Sequence, residues 1–455
     1  MPSVEPRVIT RLGSHAEKEY VEKTGRLLDG LIIGANLVES TPGATGSLIV
    51  KLGGDTTSLR YYVDPMTYAF GLYVDPDTGR LRSDLDWIKS EQKVSRKSKQ
   101  VIRNYKKSYR ALAEQYGPPF DTALGRGMAV TWEDLKDDAK AVAACSSVVN
   151  YQLQRIKDEF SADPEFAAYA AYVPKPASVF APYFYIDPRN AAHWEPLVLR
   201  LARMTVELKL GVPVHAVICV DESFLADDGF VKRLIEGLPG TGVDGVWLWF
   251  SKLKEDEAPE KKLRNLRAIA EALSEKMEVY NMHGGFFSLA LCKFGLSGIS
   301  HGVGYGEQKD VVPVIGQSTP TVRYYLPAAY KRFGVPEIER AFAGLGIRTV
   351  ADFQREVCSC VVCQGIVSTD LAAFQSFGEL RLSTPKSKRL AQTPAAAKRC
   401  RYHFLLNRIR ERDWLKKASV TDIRKAMQAA LPTWGVQPSI QDQIHHLRVW
   451  AAVLQ

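Results

Sequence analysis

Long apolar runs are missing from this 455-residue chain: no stretch approaches the ~18 consecutive apolar residues of a membrane-spanning helix. The opening Met1-Pro2-Ser3-Val4-Glu5-Pro6 lacks the basic and apolar regions of a signal peptide, so a cytoplasmic location with no membrane partner is expected. Cysteine is scarce, and an odd, uneven set of 7 rules out a secreted disulfide framework. Three of these, Cys145, Cys219 and Cys292, stand singly in apolar runs and read as small buried hydrophobes. Neither a G-x-G-x-x-G after a first strand nor a G-x-x-x-x-G-K-[ST] is present, which speaks against dinucleotide and P-loop enzymes. Repeats of solenoid period are absent too.

What the chain does have is an ordinary globular balance, 46% hydrophobic and 24% charged, with a net charge of +9. The positive charge is concentrated. Lys89, Lys93, Arg96, Lys97, Lys99, Arg103, Lys106, Lys107 and Arg110 are opposed in their segment only by Glu91. A second cluster runs through Lys386, Lys388, Arg389, Lys398, Arg399, Arg401, Arg408, Arg410 and Arg412. Patches of this kind are the electrostatic footprint of nucleic-acid binding, although solvated helix faces would look the same. In the first cluster Lys93, Arg96, Lys99 and Arg103 recur at three- and four-residue steps, as a phosphate-binding stripe on one helix face would.

Short β-like runs alternate with amphipathic segments, the pattern of an α/β protein with a parallel sheet. The runs are Leu31 to Ile33, Tyr61 to Val63, Tyr183 to Ile186, Val214 to Val220, Val246 to Phe250, Val279-Tyr280, Gly298-Ile299 and Val322 to Tyr325. Eight such units predict a (β/α)8, TIM-like barrel. The expected layout is a barrel start over 1–82, a basic helical insertion over 83–174, the rest of the barrel over 175–345 and a C-terminal helical subdomain over 346–455 that holds Cys358, Cys360, Cys363 and His403, a zinc-binding set.

Polar residues follow the apolar runs repeatedly: Asp64, Asp187, Asp221-Glu222, Ser251-Lys252, Asn281, His283 and Ser300-His301. The C-terminal strand ends form the active-site face of such a barrel, so these are candidate site residues. Each has a plainer reading. Asp64 and Asp187 precede prolines and so suit turn starts, Asp221, Glu222 and His283 suit helix caps or ion pairs, and His445-His446 reads as a helix surface.

The most specific motif is Cys358-Ser359-Cys360-Val361-Val362-Cys363, three soft thiol ligands within six residues. A tight knuckle of this kind converges on one tetrahedral zinc, and a fourth ligand is needed to close the site. His403 is the leading candidate for it, with Cys400 as the competitor.

With this motif the chain resembles the tRNA-guanine transglycosylase superfamily, including its 7-deazaguanine DNA-modifying branch, faintly over residues 30 to 415. The resemblance implies a barrel with a structural zinc on Cys358, Cys360, Cys363 and His403. It implies that Asp64 in Tyr61-Tyr62-Val63-Asp64-Pro65 is a general acid/base and that Asp187 holds the base. It likens Val243 to Leu248 to the strand leading into a base-recognition loop, while His283 is a substrate-binding candidate from its place at a strand end on the expected face. The family's nucleophilic aspartate has no counterpart, because Gly295 to His301 holds no carboxylate. Ser300 with His301 as base, or Asp221 or Glu222, are the candidate replacements. The implied function is exchange or removal of a guanine-type base in DNA or tRNA. The alternative is a catalytically silent zinc barrel that binds nucleic acid alongside partner proteins of a modification or defence system.

Overall fold

The computed structural model describes residues 5–55, 59–71, 73–74, 81–82, 107–126, 128–311, 321–382 and 390–455. Lys93, Arg96, Lys99 and Arg103, with the rest of the basic stripe from Lys89 to Lys106, lie outside the described residues, as do Lys386, Lys388 and Arg389.

One sheet carries the molecule: β1 (Arg7–Leu12), β2 (Gly30–Gly34), β3 (Arg60–Asp64), β4 (Val179–Phe180), β5 (Tyr185–Ile186), β6 (Val214–Asp221), β7 (Gly245–Ser251), β8 (Glu278–Asn281) and β9 (Gly298–Gly302). Every ladder is parallel, and β4 and β5 both pair with β6, so they share one of eight strand positions. Neighbours follow chain order around the ring, and β9 returns to β1 in the register Arg7↔Gly298. At the remaining seam the Ala177 amide donates to the Tyr61 carbonyl at 2.8 Å, nearly closing the barrel.

The strands are continuous apolar runs because both faces are covered. Seven of the eight β6 residues are buried, and so are all seven of β7. Inside the barrel, aromatic rings fill the space. Trp247 stacks on Tyr280 with centroids 4.3 Å apart and meets Tyr62 and Phe180 edge-on at 5.3 and 5.6 Å. Gly245 leaves room for His215, whose Nε2 would lie 2.8 Å from any Cβ there.

Two strand assignments from the sequence need correction. Val322 to Tyr325 does not supply the eighth barrel strand. Tyr324–Leu326 (β10) forms an antiparallel hairpin with Lys331–Phe333 (β11) outside the barrel. The eighth position belongs to β1, whose sequence Arg-Val-Ile-Thr-Arg-Leu carries two arginines that masked it.

The helices α1 (Lys18–Thr24), α2 (Pro42–Asp55), α3 (Asp138–Ala162), α4 (Ala191–Glu207), α5 (Asp228–Gly237), α6 (Glu260–Leu273) and α7 (Phe286–Ala290) come from the connections. The 25-residue α3 lies in the long link between β3 and β4 and packs on α2 and α4. Among the described residues no helix is long and apolar enough to cross a membrane.

Past the barrel come α8 (Val361–Ile366), the ribbon β12 (Leu380–Leu382) with β13 (Leu390–Gln392), α9 (Pro394–Lys417), α10 (Val420–Ala430) and α11 (His446–Val453). The 24-residue α9 is capped by the Thr393 side chain, with Pro394 at its first position. It lies against β1, α7 and β10, so the C-terminal region is fastened to the barrel wall. The pair His445-His446 is split by α11: His445 is exposed, whereas His446 is buried and bonds the Ala329 carbonyl at 3.0 Å, contrary to a shared helix surface.

Candidate metal centre and barrel mouth

Cys358, Cys360, Cys363 and His403 meet in one buried cluster whose ligand atoms all lie within 4.8 Å of one another. The knuckle is shaped by its own backbone. The Cys360 amide points at Cys358 Sγ at 3.3 Å and the Cys363 amide at Cys360 Sγ at 3.4 Å. Cys360 is also the N-cap of α8. Amide donors and a helix N-terminus both favour thiolate over thiol. Hydrogen bonds from Cys358 and Cys363 bring Cys360 down to about 3, while burial and its anionic neighbours push Cys363 far up. Three thiols this close do not all ionise unless a cation sits among them, which is the chemistry of a metal centre.

His403 comes from α9, 40 residues further on, with its Nδ1 3.4 Å from Cys360 Sγ and 3.2 Å from Cys363 Sγ. Its Nε2 is 2.6 Å from the Tyr325 carbonyl, so Nε2 carries the proton and Nδ1 turns to the cluster. Tyr324 stacks on the imidazole at 4.1 Å, and its hydroxyl lies 3.1 Å from Cys363 Sγ. Cys400, one turn before His403, is buried elsewhere and donates to the Phe377 carbonyl at 3.3 Å.

At the C-terminal ends of the strands, Asp64 is fully buried. It accepts from Tyr183 Oη at 2.7 Å and the Met66 amide at 2.9 Å, and forms an ion pair with Arg11 of β1. Asp187 accepts the Arg189 amide at 2.8 Å and pairs with the Arg189 guanidinium at 2.5 Å. Both aspartates thus form the turns that Asp-Pro predicts. Burial alone would raise Asp221, but bonds from Ser223 and Tyr185, helped by Lys252, hold it below its ordinary range. Glu222 points instead to Lys262 of α6, at 2.8 Å. The backbone enters the left-handed region within two residues of two strand ends, at Met66 (φ 53) and Lys252 (φ 69). Strain of this sort gathers at functional sites.

Ser300 and His301 do not form a nucleophile–base pair, since adjacent strand residues face opposite ways. Ser300 Oγ donates to the Met282 carbonyl, while His301 packs edge-on against Phe404 of α9 at 4.9 Å. His283 is buried beside Trp249, bonds the Gly306 carbonyl at 3.1 Å, and is held neutral by burial and by Lys309 and Arg11.

The basic residues of the second cluster that are described serve the fold. Lys398 pairs with Glu19, Arg410 bonds the Ser359 carbonyl, Arg412 reaches Asp29, and Arg408 is wholly buried between Glu307 and Glu411. Tyr109, beside the basic stripe, is buried against Phe70.

Sequence reasoning missed a second polar centre. A cavity of about 720 Å³ opens between the loops after β7, β8 and β9, the β10–β11 hairpin and α11, lined by Glu255, Gly285, Glu307, Tyr330, Arg332 and His446 among others. Burial, with Glu307 nearby, pushes Glu255 up to about 7. Burial acts on Glu307 too, but Arg332 and Arg408 outweigh it and keep that carboxyl low. The acidic run Glu255-Asp256-Glu257 after β7 was the available signal. Compared with known proteins, the chain matches no protein-family model and no curated sequence.

Proposed function

We propose that the chain is a transglycosylase-type barrel that exchanges or removes a guanine-type base in nucleic acid. One observation carries this reading: an eight-position parallel barrel in chain order is followed by a Cys3His cluster whose histidine-bearing helix packs back on the barrel wall. That is the combination the resembled superfamily carries. In this reading the base and ribose sit against the strand ends that carry Asp64, Asp187 and Asp221.

We assign zinc to the cluster. With Zn–S at ~2.3 Å and Zn–N at ~2.0–2.1 Å, tetrahedral geometry puts thiolate and imidazole donors ~3.6 Å apart. The 3.2 and 3.4 Å between His403 Nδ1 and two of the sulfurs fit with little adjustment. Four protein ligands leave no open position, so the ion is structural.

A second reading is favoured by the end of β9, where Ser300 and His301 stand in place of a carboxylate. It makes the protein a silent barrel that binds nucleic acid as a subunit of a modification complex. Labelled guanine offered with tRNA and with duplex DNA separates the two. Incorporation into either polymer supports base exchange, and binding without incorporation at saturating protein selects the silent barrel.

A further inference from the structure

Breaking a glycosidic bond to a purine needs a proton donor for the leaving base, and Asp64 is badly placed to be one. Arg11, Tyr183 and the Met66 amide all donate to its oxygens. Asp221 receives the Ser223 amide and Tyr185 hydroxyl in the same way. With both oxygens of each carboxyl already taken by these donors, neither presents a free oxygen to a leaving base.

Glu255 is arranged differently. Its Oε1 takes the strong bonds, from Ser288 Oγ at 2.5 Å and the Gly285 amide at 3.0 Å, and Asn281 orients that serine from 2.7 Å. Among the described residues its Oε2 has only a long 3.4 Å approach from the Ser288 amide and is the oxygen left to carry a proton. Gly285 makes the geometry possible. A Cβ there would sit 2.8 Å from Glu255 Oε2 and 3.7 Å from Glu307 Oε1, so both carboxyls crowd one point on the cavity wall. The two oxygens are therefore no more than about 6.5 Å apart, which excludes the upper part of the ~5–9.5 Å range of paired glycosidase carboxylates.

Resting on the transglycosylase reading, we infer that Glu255 is the catalytic proton donor of the reaction and that Glu307, whose carboxyl crowds the same point on the cavity wall, is its positioning residue. The charged groups around Glu255 are consistent with this division. Glu307, from the loop after β9, is pinned by Arg332 of β11 at 3.0 Å and by Arg408 of α9. Asp256 is paired with Lys331 at 2.7 Å and Lys254 with Glu257 at 2.9 Å, while His446 on α11 is held neutral down to about 4, chiefly by burial. Two neighbouring carboxyls whose surroundings push their proton affinities apart are the usual mark of an acid and its ionised partner. The cavity volume lies within the range of small-molecule sites.

The step balances without any co-reactant beyond the incoming base or water. As the bond from the anomeric carbon to the base breaks, the ring nitrogen keeps the electron pair and takes the Glu255 proton. The anomeric carbon then bonds to the incoming base, or to water, and the proton that nucleophile gives up returns to Glu255.

The test measures labelled-guanine exchange by the full chain with tRNA and duplex DNA from pH 5.5 to 9. Wild-type rate should fall as pH rises through about 7, where the acid form is lost. E255Q, with unchanged melting and metal content, should lose ~10²–10⁴-fold and show no alkaline limb. E307Q should move that limb to lower pH rather than abolish turnover, because removing the negative neighbour favours ionised Glu255. Exchange by E255Q at the wild-type rate with the limb intact overturns the assignment while leaving base exchange standing. If E255Q does not fold, an unmoved limb in E307Q overturns it equally. No exchange by the wild type on either polymer instead removes the transglycosylase reading, and the assignment with it.

Discussion

Arg11, one residue from the end of β1, reaches across the barrel interior to the carboxylate of Asp64 at the end of β3, and the guanidinium and carboxylate are both almost wholly out of solvent. Losing one partner of a buried ion pair strands the other charge, at a cost of about 3–5 kcal/mol. Arg11→Met should therefore lower the urea midpoint sharply, and Arg11→Met with Asp64→Leu should recover much of the loss. A single variant with a wild-type midpoint would show that water screens the pair.

The metal cluster predicts a coupled loss of fold. Elemental analysis should find about one zinc per chain, and Cys360→Ala or His403→Ala should release it. Since α9 carries His403 and also places Arg412 against Asp29 of the barrel at 2.8 Å, the damage should reach the barrel as one broadened, lowered thermal transition. Cys400→Ser should keep the metal, being outside the cluster. Less than half an equivalent in freshly purified wild type would sink the assignment.

His215 gives a pH prediction whose sign is fixed by its surroundings. Trp247 Nε1 donates to His215 Nδ1 at 3.0 Å, and burial brings the ring down to about 4. The unfolded chain takes up this proton near 6.5 while the native barrel does not, so stability falls as pH drops from about 6.5 to about 4. The contribution approaches about 3 kcal/mol at the acid end. His215→Gln retains an acceptor for Trp247 and should flatten that dependence in denaturant titrations. An unaltered slope would mean that the other buried histidines, His283, His301 and His446, all lowered chiefly by burial, carry the acid sensitivity instead.

How much of this was legible in the sequence depends on whether the signal was local. The strands β6 and β7 were readable because both faces are buried, which leaves unbroken apolar runs such as Val214 to Val220. The thiol knuckle was readable because three ligands are neighbours in sequence. In β1 the same logic failed, since Arg7 and Arg11 point into the barrel and find Glu278 and Asp64 on distant strands. Glu255 and Glu307 escaped notice for a related reason. Their chemistry comes from burial and from Arg332 and Arg408, partners supplied by a hairpin and a helix far along the chain, and residue type alone carries none of it.

Phosphate binding is expected at the stripe of Lys93, Arg96, Lys99 and Arg103, because Lys398, Arg408, Arg410 and Arg412 of the other cluster already serve intramolecular contacts. If the stripe tracks phosphates, replacing all four residues by glutamine should weaken binding alike for all sequences. It should also flatten the salt dependence of affinity, each lost contact lowering the slope by ~0.9 on duplex DNA. Filter binding or fluorescence anisotropy across a salt series, on two unrelated duplexes and a tRNA, reads both effects. A weaker affinity with an unchanged slope would indicate lost packing rather than lost phosphate contacts, and an unchanged affinity would mark the stripe as a solvated face.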